Sequence, residues 1–365
     1  MARIFEDNCG DNYSDPLAQA VWSYGKDENG NNSVVVSVTT TAGSSGNCLK
    51  VDSIPVGNIA TFLRRNLSAS YAHVIYGVRF KAAALPGSGY DHIITLWDNA
   101  ATILSVLAIE PNGALSVWRG GYPGVGGTKV GTSTVGNVIQ PGVMIHLSLD
   151  IVLDNAGAGS ITLRADSQIV KTVSTTTTSP NANGAAMLSV HSGHILAASH
   201  YFDDLYLNDP SGLDNTGFDG DVVCIYVPPT APGRLTQQSI GGSAPAATNW
   251  QSVNQTVPDD DVTYVSAATA GLKDTYKVGP LDPNVVAIVC VTTILDLKTD
   301  TSGLGAGATV RPLIGNGATE SPGTSVSANT SYANKYQSFG RNPLTSATWT
   351  LSDWANIEIG HERTA

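Results

Sequence analysis

From Ser33 to Asn208 the chain falls into short apolar segments separated by Gly, Pro, Asn, Asp or Ser, and in some of them apolar residues take every second position. A two-residue period is that of a pleated strand with one buried face, and no helix satisfies it. In Met144–Leu153, Ile145, Leu147, Leu149 and Ile151 alternate with His146, Ser148, Asp150 and Val152. Ile103–Ile109 and Ala114–Trp118 flank Glu110-Pro111-Asn112-Gly113, where proline fixes one turn dihedral and Asn-Gly supplies positive φ. Tyr201–Asn208 is a further strand, and Gly220–Val227 is expected as another, stopped by Pro228-Pro229. Evenly spaced strands in such number fold as two sheets packed face to face.

Only 13% of residues are charged, against roughly 25% in an average domain. Gly, Ser, Thr, Asn, Val and Ala take up the difference, which supports strands and turns over helices. The expected fold is all-β. A jelly roll spans residues 1–228, a linker rich in Pro and Gly spans 229–245, and a smaller β-sandwich spans 246–365. In the last part Asp261–Val265, Asp274–Val278, Val285–Leu297, Ala308–Ile314, Tyr336–Arg341 and Asn356–Gly360 are its strands, with a helical turn after Leu351 capped by Ser352 or Asp353.

The net charge is −11 and no run of Lys or Arg exists to neutralise phosphates, so nucleic acid is not an expected partner. No apolar stretch reaches the length of about 18 residues that would span a membrane. The opening Met1–Asn8 lacks a basic region followed by an apolar one, so synthesis and folding in a cytoplasm are expected. Cys9, Cys48, Cys224 and Cys290 are widely spaced and suit buried free thiols.

The Phe5-Glu6-Asp7 opening and the closing strand with Asp203-Asp204 resemble concanavalin A-like (laminin-G-like) jelly rolls. Trp250, Asp260–Val265, Lys273–Tyr276, Val310–Ile314 and Asn342-Pro343 ahead of Trp349-Thr350 are similar, in order and spacing, to a companion β domain of tailed-bacteriophage structural proteins. The resemblance implies a non-enzymatic virion component, tail-associated as a fibre, tail tip or baseplate part, with a head-decoration protein as the alternative. It also implies other virion proteins as partners, a homo-oligomer with a trimer favoured, and contact with a host-surface glycan. A lectin or glycoside hydrolase on the same fold is the alternative from another class.

Hydrolysis of glycosides needs two carboxylates facing one another across the bond. The six glutamates, Glu6, Glu28, Glu110, Glu320, Glu358 and Glu362, form no such strand pattern, and adjacent Asp203 and Asp204 are expected on opposite faces. No catalytic residue is therefore expected. No cofactor is expected either, calcium apart: the resemblance implies it at a sheet rim, with Asp203, Asp204, Asp209 and Asp214 as candidate ligands. His191, His194 and His200 have loop-like spacing rather than that of a helical zinc pair. Trp97, Trp118, Tyr122, Tyr201 and Tyr206 are candidates for stacking on sugar rings. Two loops, Gly120–Gly131 and Ser174–Gly184, are uncharged or nearly so and are expected to carry partner contacts through Gly120, Gly121, Tyr122, Thr175, Thr178, Asn181 and Asn183.

Overall fold

The computed structural model describes residues 3–7, 22, 24–27, 35–41, 47–53, 61–177, 184–192, 199–212, 215–299 and 307–365. The fold is all-β, and the chain divides into two compact units, Met1–Cys224 and Ile225–Ala365. Among the described residues no helix is long and apolar enough to cross a membrane.

The first unit is a sandwich of two antiparallel sheets. One runs in the order Gln168–Thr175, Gly159–Ala165, Ile145–Val152, His73–Ala82, Ser199–Asn208, Asn47–Asp52 and Val35–Thr40, with Arg3–Asp7 also paired to Ser199–Asn208. The other runs Thr128–Thr132, Leu115–Arg119, Ile103–Ile109, Asp91–Trp97, Ala185–His191, Thr61–Tyr71 and Tyr24–Asp27. The alternation sets the core: Leu147, Leu149, Ile151, Tyr76, Val78 and Phe80 from the first sheet are buried, as are Leu63, Ile94, Leu96, Leu188 and Val190 from the second. Each such side chain stabilises the fold by about 1.5–3 kcal/mol relative to exposure. Gly77 is paired with Tyr206, whose ring occupies the space a Cβ would need.

The expected strand at Gly220–Val227 does not form. Gly220 has φ 83° and the segment runs as irregular chain, tied down by side chains instead of a ladder. Arg79 donates from Nε and Nη2 to Asp221 at 2.8 and 3.2 Å, Asn208 Nδ2 donates to Asp219 at 2.7 Å, and the Cys224 amide donates to Asp204 Oδ1 at 2.7 Å. Among the described residues the segment of Val223 and Ile225 joins no ladder, and both side chains are exposed.

The second unit has a sheet in the order Pro229–Thr236, Lys273–Val278, Glu358–Arg363, Thr309–Gly315 and Glu320–Pro322, with Val326–Ser327 also on Thr309–Gly315. Ladders Ser239–Gly241 with Tyr264–Ser266 and Val291–Leu297 with Ala333–Phe339 complete it. Val291, Ile314, Phe339, Trp349 and Ile357 form its core cluster. Residues 229–245 are thus no linker. Pro229 and Pro232 sit on an edge strand with register shifts, the place where a residue without an N–H fits a sheet. Gly233 lies against the backbone of Thr275, where any side chain would collide. The prolines and glycines that suggested a flexible joint mark an irregular edge. The expected strand from Val285 begins only at Val291, and the helical turn Leu351–Trp354 is capped by Thr350 in a capping box with Asp353.

Candidate functional site

The second sheet of the first unit has two unlike faces. Leu63, Leu188 and Val190 alternate with Phe62, Arg64, Ser189 and His191. Ser189 is paired with Arg64 on one side and Thr95 on the other, His191 with Phe62, and Met187 with Trp97, so these side chains share the second face. There the Arg64 guanidinium lies 3.9 Å from the centre of the Trp97 ring and 5.3 Å from that of Phe62. Stacking of this kind holds the cation by its interaction with the ring quadrupoles. Trp97 Nε1 donates to Ser189 Oγ at 2.7 Å, and Ser189 Oγ is 2.9 Å from His191 Nε2.

A second imidazole and a phenol complete the group. His92 stacks on Tyr122 with ring centres 4.4 Å apart and planes 11° from parallel. Both rings meet His191 edge-on, at 5.8 and 5.9 Å, and Tyr122 meets Trp97 edge-on at 6.0 Å. Arg64, His92, Trp97, Ser189 and His191 are buried, while Tyr122 is half-buried. Burial, with Arg64, His92 and His200 nearby, pushes the His191 imidazole well below its ordinary range, so it is neutral near pH 7. Behind it His200 Nδ1 lies 2.9 Å from the His191 carbonyl, where a ring N–H donates, and burial lowers this histidine too.

Tyr122 is delivered by the Gly120–Gly127 turn. Gly120, Gly124 and Gly126 have φ between 71° and 78°, a left-handed conformation glycine adopts without strain. Gly121 packs against Gly126 and Gly127, and the Tyr122 carbonyl accepts from the Val125 and Gly127 amides. Gly120, Gly121 and Tyr122 therefore form a built turn rather than a loose loop, and Val125 at its tip is 76% exposed.

Of the expected stacking aromatics, the structure joins Trp97 and Tyr122, and sets Trp118 beside Tyr90 at 4.9 Å under the Lys129 ammonium. Tyr201 and Tyr206 belong to the other sheet. Thr175 ends a strand, and Thr178, Asn181 and Asn183 lie outside the described residues. Thr177, expected in an exposed loop, is buried, with its hydroxyl donating to the Val152 carbonyl at 2.6 Å.

Of the calcium candidates, Asp203, Asp204 and Asp209 are bonded within the chain. Asp203 and Asp204 sit at a bulge where Asp204 has φ 49°, so the simple opposite-face argument fails there, and both are fully buried. Asp203 accepts from the Asp204 amide, and Asp204 lies 3.6 Å from Arg79. Asp209 bonds the amide and hydroxyl of Ser211 two residues on. Asp214 and His194 lie outside the described residues. Among the described residues no three His, Cys, Asp or Glu side chains converge as metal ligands.

Sequence reasoning missed Arg64, His92 and Ser189, and took His191 only as a metal candidate. The signal was present: polar residues at alternate positions of strands too apolar to face water, Phe62-Leu63-Arg64 and Ser189-Val190-His191, mark a second face with a purpose of its own.

No protein-family model matches the chain, and a search of curated proteins finds no relative. Solved structures do resemble it. An endo-β-1,4-glucuronan lyase from the fungus Trichoderma reesei is 14% identical, with TM-score 0.41 over 57% of this chain and 95% of its own. A carbohydrate esterase of the Shiga toxin-encoding bacteriophage phi24B is 14% identical, with TM-score 0.36 over 51% and 90%. The carbohydrate-binding module CBM66 from Bacillus subtilis is 12% identical, with TM-score 0.33 over 48% and 94%. At these identities the likeness is one of fold.

Enzymes are among these neighbours, and the expectation that the chain has no catalytic role is withdrawn. That expectation rested on the missing carboxylate pair, which excludes one mechanism of glycoside hydrolysis and has no bearing on elimination or ester cleavage.

Proposed function

We propose that the first unit recognises carbohydrate on the face carrying Arg64, His92, Trp97, Tyr122 and His191, and that the glycan is acidic. One observation carries this: a guanidinium laid on an indole sits beside two imidazoles and a phenol on a single sheet face. Aromatic rings offer the apolar face a sugar ring needs, and arginine is the side chain that meets a carboxylate with paired donors. Sugar enters by lifting Tyr122 from His92, the bonded turn Gly120–Gly127 moving as one piece. Turnover belongs to the same reading: for a uronate held by Arg64, the neutral His191 imidazole is the base that takes the proton beside the carboxylate, the C–O bond to the leaving sugar breaks as the double bond forms, and the Tyr122 hydroxyl gives its proton to the leaving oxygen.

The test is calorimetry with oligomers of glucuronate, alginate and neutral glucose, followed by an ultraviolet assay for unsaturated ends. Acidic oligomers should bind, and Arg64→Gln should weaken them at least tenfold while leaving the fold intact. Equal affinity of wild type and Arg64→Gln for every oligomer would sink the proposal.

The similarity of the C-terminal motifs to tailed-phage proteins supports placing this recognition on a virion, as a tail-associated component, where the glycan would be a host-surface one. Antibody labelling of purified particles tests it: gold at the tail supports the placement, gold on the head favours decoration, and unlabelled particles contradict both.

A further inference from the structure

The second unit contains an open cavity of about 280 Å³, lined chiefly by Trp250, Tyr276, Ile240, Asn249, Thr236 and Thr248. Its walls come from separate parts of the chain. Thr236 ends the irregular edge strand, Ile240 belongs to the next strand, Asn249 and Trp250 to a turn entering a short 3₁₀ segment, and Tyr276 to the strand Lys273–Val278.

One fully buried carboxylate fixes these walls against each other. Asp274 Oδ1 accepts from the amides of Gln237 and Gln238 at 2.7 and 2.9 Å, while Oδ2 accepts from Asn249 Nδ2 at 2.5 Å and the Tyr276 hydroxyl at 3.0 Å. His361 Nε2 lies 2.8 Å from the Gln238 amide oxygen and secures that residue in turn. A carboxylate with four donors is rigid, so the cavity is held open in shape before any ligand arrives.

The lining carries no ionised side chain, which leaves a charged ligand without a counter-charge. Nor does it suit a purely apolar occupant. The Thr236 hydroxyl, the Asn249 side-chain carbonyl and the Trp250 indole N–H take no partner in the hydrogen-bonding of the described residues. Covering them with hydrocarbon would cost each its bond to water. An occupant with an apolar face on one side and neutral donors and acceptors around its edge satisfies both conditions. We propose that this cavity binds a neutral pyranose, stacked against Trp250 and hydrogen-bonded through Thr236 and Asn249. At about 280 Å³ it is just under the usual range of small-ligand sites, about 300–1,000 Å³, and suits a single ring. This site belongs to the second unit, and the proposal does not depend on the reading of the first.

Saturation-transfer-difference NMR on the full chain tests it, with methyl glycosides of glucose, galactose, mannose and N-acetylglucosamine as probes and methyl glucuronide beside them. At least one neutral glycoside should receive saturation, and Trp250→Ala should reduce that signal at least fivefold with an unchanged circular dichroism spectrum. Where Trp250→Ala perturbs the spectrum, Thr236→Val decides, because it keeps the shape and removes one hydroxyl; it should raise Kd about fivefold to tenfold. The proposal is overturned by silence from all the neutral glycosides, by a glucuronide signal that exceeds theirs, or by an unchanged signal in a correctly folded variant.

Discussion

Ser189→Ala is the substitution that examines the candidate site most sharply. Ser189 is fully buried, and its hydroxyl accepts the Trp97 indole proton at 2.7 Å while lying 2.9 Å from His191 Nε2. A hydroxyl has a single proton, so the roles are constrained. Either Ser189 donates to His191, which then carries its proton on Nδ1, or His191 donates to Ser189, whose own proton turns to the Thr95 carbonyl at 3.5 Å. Alanine leaves the indole N–H and the imidazole nitrogen without a partner in both cases. Each buried orphan costs about 1–3 kcal/mol, so with partial relaxation the loss is about 2–4 kcal/mol. For a unit of this size that lowers Tm by roughly 5–15 °C. Differential scanning calorimetry on Ser189→Ala reads it, with Ser105→Ala as the comparison. The Ser105 hydroxyl is buried without a hydrogen-bond partner, so removing it should be nearly neutral. A Ser189→Ala shift no larger than that of Ser105→Ala would refute the reasoning, because the indole and imidazole groups would then be finding other partners inside a buried site.

Two further outcomes are expected. Gly77→Ala should destabilise the first unit by about 1–3 kcal/mol or more, because the new methyl runs into the buried ring of Tyr206, which is itself stacked on His146; chemical denaturation measures it, and a neutral result would mean the ring is free to move. Stability should also fall as pH drops. His146, His191 and His200 are all lowered from 6.5 chiefly by burial, so the folded unit favours their neutral forms. Around His146, Asp221 and Asp166 favour its charged form and Arg79 opposes it, without reversing that direction. The unfolded chain binds more protons below pH 6.5, so this stability is present above that value and is lost on acidification, by up to about 1.4 kcal/mol per pH unit for each histidine. Denaturation midpoints that stay constant from pH 7.5 to 5 would contradict it.

The sandwich was legible because its period is local: Ile145, Leu147, Leu149 and Ile151 name a buried face without reference to anything distant. The features that misled were those whose meaning lies in the partner strand. Pro229 and Pro232 look like a linker until Lys273–Val278 is seen beside them, and Val223 and Ile225 look like a strand until Asp221 and Cys224 are found anchored by side chains. The site was half visible. Trp97, Tyr122 and His191 drew notice singly, but Arg64 is about thirty residues from Trp97 and farther still from His191, and only the ladder that pairs Thr61–Tyr71 with Ala185–His191 brings the cation to the rings.

Hydrogen–deuterium exchange with and without a glucuronate oligomer tests the central claim most directly, because it reports where the glycan sits as well as whether it binds. Peptides covering 120–127 and 185–191 should gain protection on binding, and Arg64→Gln should abolish the gain. Protection confined to other segments, or none at saturating oligomer, would contradict the assignment of this face as the carbohydrate site.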